Sequence, residues 1–123
     1  MNHLDNLLGS VLSSTFTGGF WAGRARDKCP TPYATYIYFG PANVYLGGRG
    51  SMQNKTVQID IWTNDVATAN TLADTVEAIM DVQNMDASPS SFTATQTNRQ
   101  LAPPDLEVKL QRIVLEFSVW FRP

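Results

Sequence analysis

The segment 55–80 constrains the fold most, because its hydrophobic period changes once, from that of a strand to that of a helix. In its first part β-branched residues alternate with polar ones, which is typical of a strand with one buried face. These residues are Val57, Ile59 and Ile61. From residue 66 onward the apolar residues recur at spacings of three and four, which predicts an amphipathic helix. Asn64 or Asp65, at the junction, can cap the first turn of that helix.

A second helix is predicted over residues 2–14, where apolar side chains again recur at helical spacing. They are Leu4, Leu7, Leu8, Val11 and Leu12. We expect this helix to pack on the core of its own chain; docking on a neighbouring subunit is the alternative.

Aromatic and β-branched residues predict a strand over YATYIYF, residues 33–39, with a weaker signal at residues 20–22. Both faces of the 33–39 strand are apolar or aromatic. It is therefore expected in the centre of the sheet, unless its second face meets another chain. Residues 40–54 contain four glycines and no consistent period, which predicts a flexible loop or a hairpin arm.

Two further strands are predicted in the last third of the chain. A polar strand is expected over residues 92–97, at an edge, followed by a turn over 98–104 that ends with two prolines. The final strand alternates from Ile113 to Phe121, and a change of phase between Leu110 and Ile113 predicts a bulge. The chain is thus expected to form a single α+β domain, residues 1–123. Its sheet should be mostly antiparallel, with four to five strands and two helices packed on one face.

Charge and composition exclude several functions. The net charge is −2, which disfavours strong binding to nucleic acid, and the small cluster of Arg24, Arg26 and Lys28 is best explained as a solvated loop. A single cysteine cannot form an internal disulfide, and with a single histidine it provides no zinc ligand set. The N-terminus lacks the pattern of a signal peptide, and no apolar run is long enough to span a membrane.

No catalytic constellation stands out, so we expect neither an enzyme nor a cofactor. His3 has no natural partner, and it is best explained as an exposed residue at a helix start. Asp60 and Glu116 could in principle form an acid and base pair, but carboxylates on the polar face of a strand are usually solvated or paired with a residue such as Arg112. Trp62 and Trp120 also lie on the polar side of their strands. Large aromatic side chains in such places often contact another protein chain.

The order of these segments resembles a known family. The strand TPYATYIYFGP is followed by a glycine-rich stretch, then by VQIDIWTNDVATANTLADTVEAIM, and the chain closes with IVLEFSVWF. Together these segments, residues 31–81 and 107–122, are similar to the small tail terminator, or tail completion, proteins of tailed bacteriophages.

The resemblance implies an α+β virion protein, made in the host cytoplasm, at the head-tail junction. Such proteins form a hexameric ring on the tail tube, stop its polymerisation and provide the interface to the head connector or stopper protein. DNA passes through the ring without being read. From the residues themselves we predict two groups of contacts to neighbouring subunits or to the tube protein: Tyr36, Tyr38, Trp62 and Trp120 on the sheet, and Asn43, Tyr45, Arg49 and Met52 on the arm. The alternatives are another phage neck or minor tail component, or a small cytoplasmic α+β ligand-binding domain.

Overall fold

The computed structural model describes residues 3–24, 30–40, 43–44, 52–81, 92–105 and 110–121. The elements in chain order are α1 (His3–Leu12), a 3₁₀ turn (Ser13–Thr15), β1 (Phe20–Ala22), β2 (Tyr33–Phe39), β3 (Asn43–Val44), β4 (Met52–Thr63), α2 (Val66–Asp81), β5 (Thr93–Asp105) and β6 (Leu110–Phe121).

These strands form one sheet in the order β1-β2-β4-β6-β5, and the two-residue β3 pairs with β4 beside the end of β2. All neighbouring pairs are antiparallel except β1 with β2, which are parallel. The prediction of an α+β fold with a mostly antiparallel sheet is confirmed; β3 brings the described strands to six. β2 lies second from one edge, since only the three residues of β1 lie outside it.

One face of the sheet, which we call the helix face, forms the core together with both helices. Val57, Ile59 and Ile61 are fully buried there, as the alternation of β4 requires. Their partners on β6 are equally buried: Ile113, Leu115 and Phe117. α1 contributes Leu7, Leu8 and Leu12 to the same core. The expectation that α1 packs on its own chain is therefore correct.

The junction between β4 and α2 is closed by Asp65, the second of the two candidate caps. The backbone amide of Thr68 donates a hydrogen bond to Asp65 Oδ1 at 2.6 Å, and the Thr68 hydroxyl donates to Oδ2 at 3.1 Å. These bonds satisfy a first-turn amide that has no partner within the helix. The hydrogen bond from the Thr68 backbone also lowers the pKa of Asp65, because it stabilises the ionised carboxylate.

β5 corrects two predictions. It continues through residues 98–104, where a turn was predicted from Pro103 and Pro104. β5 is an edge strand, and proline is tolerated there because one side of the backbone needs no ladder hydrogen bonds. A bulge is present beside residues 110–112 of β6, close to where the change of phase between Leu110 and Ile113 predicts one. However, the extra residue belongs to β5, between Ala102 and Asp105, while β6 keeps an unbroken register with β4.

A close backbone contact fixes the chain that enters β1 against the chain that enters β2. The amide of Gly18 donates to Pro32 O at 2.8 Å, and a Cβ added to Gly18 would lie 1.8 Å from Pro30 O. Gly19 follows with a positive φ of 101°. The Gly18-Gly19 pair, which the sequence identifies only as a break in the chain, is therefore required by the packing of two backbone segments.

We predict that Gly18→Ala lowers the free energy of unfolding by about 2–3 kcal/mol, because a methyl group has no room against the Pro30 carbonyl. Gly9→Ala is the matched control. It lies inside α1 with no atom near its added Cβ, and it should stabilise the chain by about 0.5–1 kcal/mol. Urea denaturation of the two variants measures both effects. Equal stabilities would contradict the close packing at Gly18.

Candidate protein-interaction surface

The face of the sheet opposite the helices, which we call the outer face, is accessible on the described parts of β2, β4 and β6. Each outer-face side chain of β2, β4 and β6 whose exposure is described is exposed or half-buried, whereas most of the helix face is buried. The outer-face residues include Tyr33, Thr35, Ile37, Phe39, Asn54, Thr56, Gln58, Asp60, Trp62, Leu110, Arg112, Val114, Glu116, Ser118 and Trp120. No helix in the described part of the chain covers them.

A row of three flat side chains crosses the outer face near the end of β4. The rings of Tyr33 and Trp62 stack with centroids 6.1 Å apart and planes 16° from parallel. The guanidinium carbon of Arg112 lies 5.2 Å from the centre of the Trp62 ring, within reach of a cation–π interaction. Trp62 Nε1 donates a long hydrogen bond, 3.3 Å, to Thr35 Oγ1. Trp62 is therefore held in one orientation by its own chain, and part of its ring still faces solvent.

The adjacent carboxylate, Asp60, is engaged by two neighbours. Arg112 Nη1 lies 3.4 Å from Asp60 Oδ2, and Gln58 Nε2 donates to Asp60 Oδ1 at 3.0 Å. Glu116 lies one row away, directly opposite Gln58 on the neighbouring strand. This arrangement corresponds to the structural role that the sequence favours for Asp60, pairing with Arg112.

Trp120 lies at the other end of the outer face, in register with Asn54 on β4 and Thr93 on β5. It is half-buried. The Asn54 side chain donates to Ser118 Oγ at 3.0 Å and to Val119 O at 3.2 Å, so the polar groups beside the indole bind one another. Trp62 and Trp120 thus share one accessible face, as the sequence predicts, at opposite ends of it.

Tyr36 and Tyr38 lie on the helix face and not with the two tryptophans. Tyr36 is only 6% exposed and its hydroxyl donates to Asp5 Oδ1 at 2.7 Å, while the Tyr38 hydroxyl donates to Asp5 Oδ2 at 3.3 Å. The ring of Phe20 stacks on Tyr36 with centroids 4.6 Å apart. Both tyrosines therefore attach α1 to the sheet, and the buried Tyr36 is not available as a surface contact in the single chain.

The four residues predicted on the arm are described only at its base. Asn43 pairs with Gln53 and Val44 with Met52, antiparallel, as at the base of a hairpin. Nothing is described of the side chains of Asn43 and Met52. Tyr45 and Arg49 lie outside the described residues.

Sequence reasoning missed a polar cluster that joins β5 to α2. Arg99 Nη1 donates to Asp74 Oδ1 at 2.8 Å and also to Glu77, while Nη2 donates to Asn70 Oδ1 at 3.0 Å. The hydrogen bond to Asp74 is the main reason that the pKa of Arg99 is raised above its usual value. The helical spacing of Asp74 and Glu77 indicates only a solvated face of α2. Nothing in the sequence shows that Arg99 of β5 lies beside these carboxylates.

The family of the chain follows from comparison with known proteins. A family model described as "Tail completion protein gp17" matches residues 5–122. The chain belongs to this family. No curated protein matches it. A solved structure without a descriptive name has a TM-score of 0.59 and 12% sequence identity, covering 98% of this chain and 96% of its own. That likeness shows a shared fold.

Membership of the tail completion family makes the chain a structural component of the phage tail, and so of the virion. The resemblance inferred from the sequence is confirmed at that level. Across the described ranges, no helix has the length and apolar character needed to cross a membrane.

A candidate location for the ligand-binding alternative lies in the described part of this tail completion protein. An open cleft of about 370 Å³ lies between the end of α2 and the strands β5 and β6. It is lined by Glu77, Ala78, Met80, Asp81, Ala94, Gln96 and Phe117. Its volume is near the lower end of the range for small-molecule sites. The lining carboxylate of Glu77 is already bound by Arg99, so the cleft offers few polar groups for orienting a ligand.

We predict that Tyr36 makes the tail completion fold sensitive to alkali. Burial, with the hydrogen bond and charge of Asp5, raises the pKa of Tyr36 in the folded chain above the value of about 10 in the unfolded chain. The contribution of the neutral Tyr36 hydroxyl to the free energy of unfolding is therefore complete below about pH 10. It is lost as the pH rises toward the pKa of Tyr36 in the folded chain. Between about pH 10 and 12 the unfolding free energy of the wild type should fall more steeply than that of Tyr36→Phe. The difference between the two slopes of unfolding free energy against pH should not exceed the slope produced by one titrating proton.

Urea denaturation at a series of pH values measures these slopes. Tyr33→Phe, which removes a hydroxyl from the outer face, controls for the loss of one tyrosine. Identical slopes for the wild type and Tyr36→Phe would show that the Tyr36 hydroxyl does not resist ionisation in the folded chain.

Proposed function

We propose that this tail completion protein caps the tail tube as a ring, most simply a hexamer, that ends tube polymerisation and forms the interface to the head connector or stopper protein. The observation that carries the proposal is the outer face, on which Trp62 and Trp120 remain accessible. The family supports the location in the tail.

The chemistry of the outer face fits a protein partner. Burial of an aromatic side chain at an interface is favourable by roughly 25 cal/mol per Å² of apolar area removed from water, and the rigid ring loses little conformational entropy. Trp62 is already oriented by Tyr33 and Arg112, so less ordering is needed on association. Asp60 and Arg112 neutralise one another, which reduces the cost of removing this face from water. The outer face is therefore proposed to contact the tube protein or the connector.

The arm is proposed as the second contact region. Asn43, Tyr45, Arg49 and Met52 would reach the neighbouring subunit or the tube from the hairpin base beside β2 and β4. Tyr36 and Tyr38 are not part of this proposal, because their hydroxyls hold α1. DNA would pass through the lumen of the ring without sequence-specific contacts, which agrees with a net charge of −2.

We predict that the purified chain forms closed rings, alone or on tail tubes, and that Trp120→Ser abolishes capping of the tubes. The physical reason is the loss of the large apolar side chain at the end of the outer face. Light scattering and negative-stain images measure the mass and shape of the free protein. Electron microscopy of purified tail tubes with added protein measures the fraction of capped ends and the length of the tubes.

Trp120→Phe is the matched control, since it keeps an aromatic ring and should retain partial capping. The melting temperatures of both variants should stay close to that of the wild type, because Trp120 is only half-buried. A wild-type chain that forms no ring and leaves tube ends open would contradict the proposal. A small molecule that stabilises the chain through the cleft beside Glu77 would then favour the ligand-binding alternative.

A further inference from the structure

The cleft at the end of α2 carries a carboxylate that no described residue neutralises. Asp81 lies on its rim and is exposed, and its side chain forms no ion pair or hydrogen bond with the rest of the described chain. The last turn of α2 contains no basic side chain. Because the carboxyl end of a helix has a partial negative charge, a carboxylate there is unfavourable and a cation is favoured.

The neighbouring sequence supplies no cation for this end of the helix. Residues 56–98 contain six acidic side chains and no Lys, Arg or His. Arg99 follows them, but its guanidinium is already shared between two other carboxylates of α2. Lys55 lies on the helix face, two strands from β5, and in the described part of the chain no ion pair joins it to Asp81. A cation for the cleft must therefore come from elsewhere.

The lining of the cleft suits a long side chain with a charged end. The buried side chains of Met80 and Phe117 form an apolar floor, the small side chains of Ala78 and Ala94 leave room above it, and Asp81 lies at the rim. Lys and Arg pack their hydrocarbon stems against apolar surface and keep the charged group at a polar edge. A basic side chain therefore matches both parts of the cleft.

The base of the arm lies at the same end of the sheet as the cleft, but on the other side of the subunit. Gln53 of β4 pairs with Asn43 on one side and with Phe121 of β6 on the other. β4 and β6 therefore lie between the arm and β5. Along the strands, Ala94 is level with Lys55, which is only two residues from Gln53. Contact sites on opposite sides of a subunit, at one level, suit a closed ring of copies.

The arm provides one charged residue. Within residues 40–54 this is Arg49. It is three residues before Met52, so its Cα can lie up to about 10 Å from the last described pair of the hairpin base, Val44 with Met52. The charge of the arm is therefore opposite to that of the cleft, and opposite charges at two surfaces orient them as they approach.

We propose that Arg49 on the arm of one copy of this chain enters the cleft of the next copy and pairs with Asp81. This inference rests on the proposed ring and specifies how the arm holds the neighbouring subunit. The arm and the cleft differ, so each contact is heterologous, and a subunit bound through its arm still presents its own cleft. The ring closes when the last arm fills the first cleft. The outer face takes no part in this contact and stays available to the tube or the connector.

Charge reversal of either partner tests the pairing. Asp81→Arg and Arg49→Asp each set two like charges against one another, so each variant alone should raise the concentration for half-maximal ring assembly by roughly tenfold or more. Light scattering measures assembly against the monomer mass of 13.6 kDa. If the wild type forms rings only on tail tubes, the same comparison is made by counting bound subunits per tube end.

An equimolar mixture of the two variants decides whether the pair forms between copies. The unchanged arm of the Asp81→Arg subunit meets the unchanged cleft of the Arg49→Asp subunit, and the two reversed charges meet each other. Alternating subunits can then close a ring with an even number of members, such as a hexamer, so the mixture should assemble near the wild-type concentration. A pair formed within one chain gains nothing from mixing. A mixture that assembles no better than its components would therefore overturn the proposal.

Controls separate this inference from the proposed function. Asp81→Arg places a base at the carboxyl end of α2, so its melting temperature should equal or exceed that of the wild type while assembly is lost. Ala67→Arg adds a positive charge at an exposed position of the same helix, about 21 Å from Asp81, and should assemble as the wild type does. Wild-type assembly by either reversal variant alone would overturn the arm contact and leave the ring proposal standing. A wild-type chain that never self-associates, in solution or on tubes, would overturn both.

Discussion

The unbroken antiparallel register between β4 and β6 is the constraint on which the rest of the structure depends. Eleven consecutive pairs, from Gln53 with Phe121 to Thr63 with Gln111, keep the alternation of both strands in phase. Because the side-chain period of a strand is two, a slip of one residue would exchange the two faces. This register therefore decides at once that Ile59 and Leu115 lie under α2 and that Trp62 and Trp120 lie on the other side. The composition of both faces of the sheet is therefore set by the pairing of β4 with β6.

The attachment of α1 depends on a second, smaller constraint. One carboxylate, Asp5, accepts hydrogen bonds from two tyrosines of the same strand, while the leucines of α1 enter the core beside them. The hydrocarbon contacts supply most of the burial, and the two hydroxyl groups fix the position of the helix along β2. This division explains why two tyrosine hydroxyl groups occur on a face that is otherwise mostly apolar. It also keeps both hydroxyl groups bonded on the helix face, where an unpaired polar group would be costly.

Local patterns in the sequence predict the helices and strands well, but they predict poorly which other elements each one contacts. The change of period after residue 63 locates the end of β4 and the start of α2 within about two residues, because both patterns are set by local geometry. The alternation of YATYIYF likewise places Tyr36 and Ile37 on opposite faces of the sheet. It does not show which of the two faces the helices will cover. The same limit applies to Arg99, whose three partners come from an element more than 20 residues earlier. Pro103 and Pro104 indicated a turn because nothing in the local sequence shows that the edge strand predicted over 92–97 continues to Asp105.

The two extra residues in β5 change how the margin of the sheet can pair with other strands. β5 is long and forms the margin of the sheet, so a regular backbone there could recruit strands from other molecules. The insertions between Gln96 and Asn98 and between Ala102 and Asp105 break the even spacing of its amide groups, and two prolines remove donors altogether. A foreign strand could match only a few residues before losing alignment. The irregular backbone of β5 therefore disfavours pairing of this edge with a strand of another molecule.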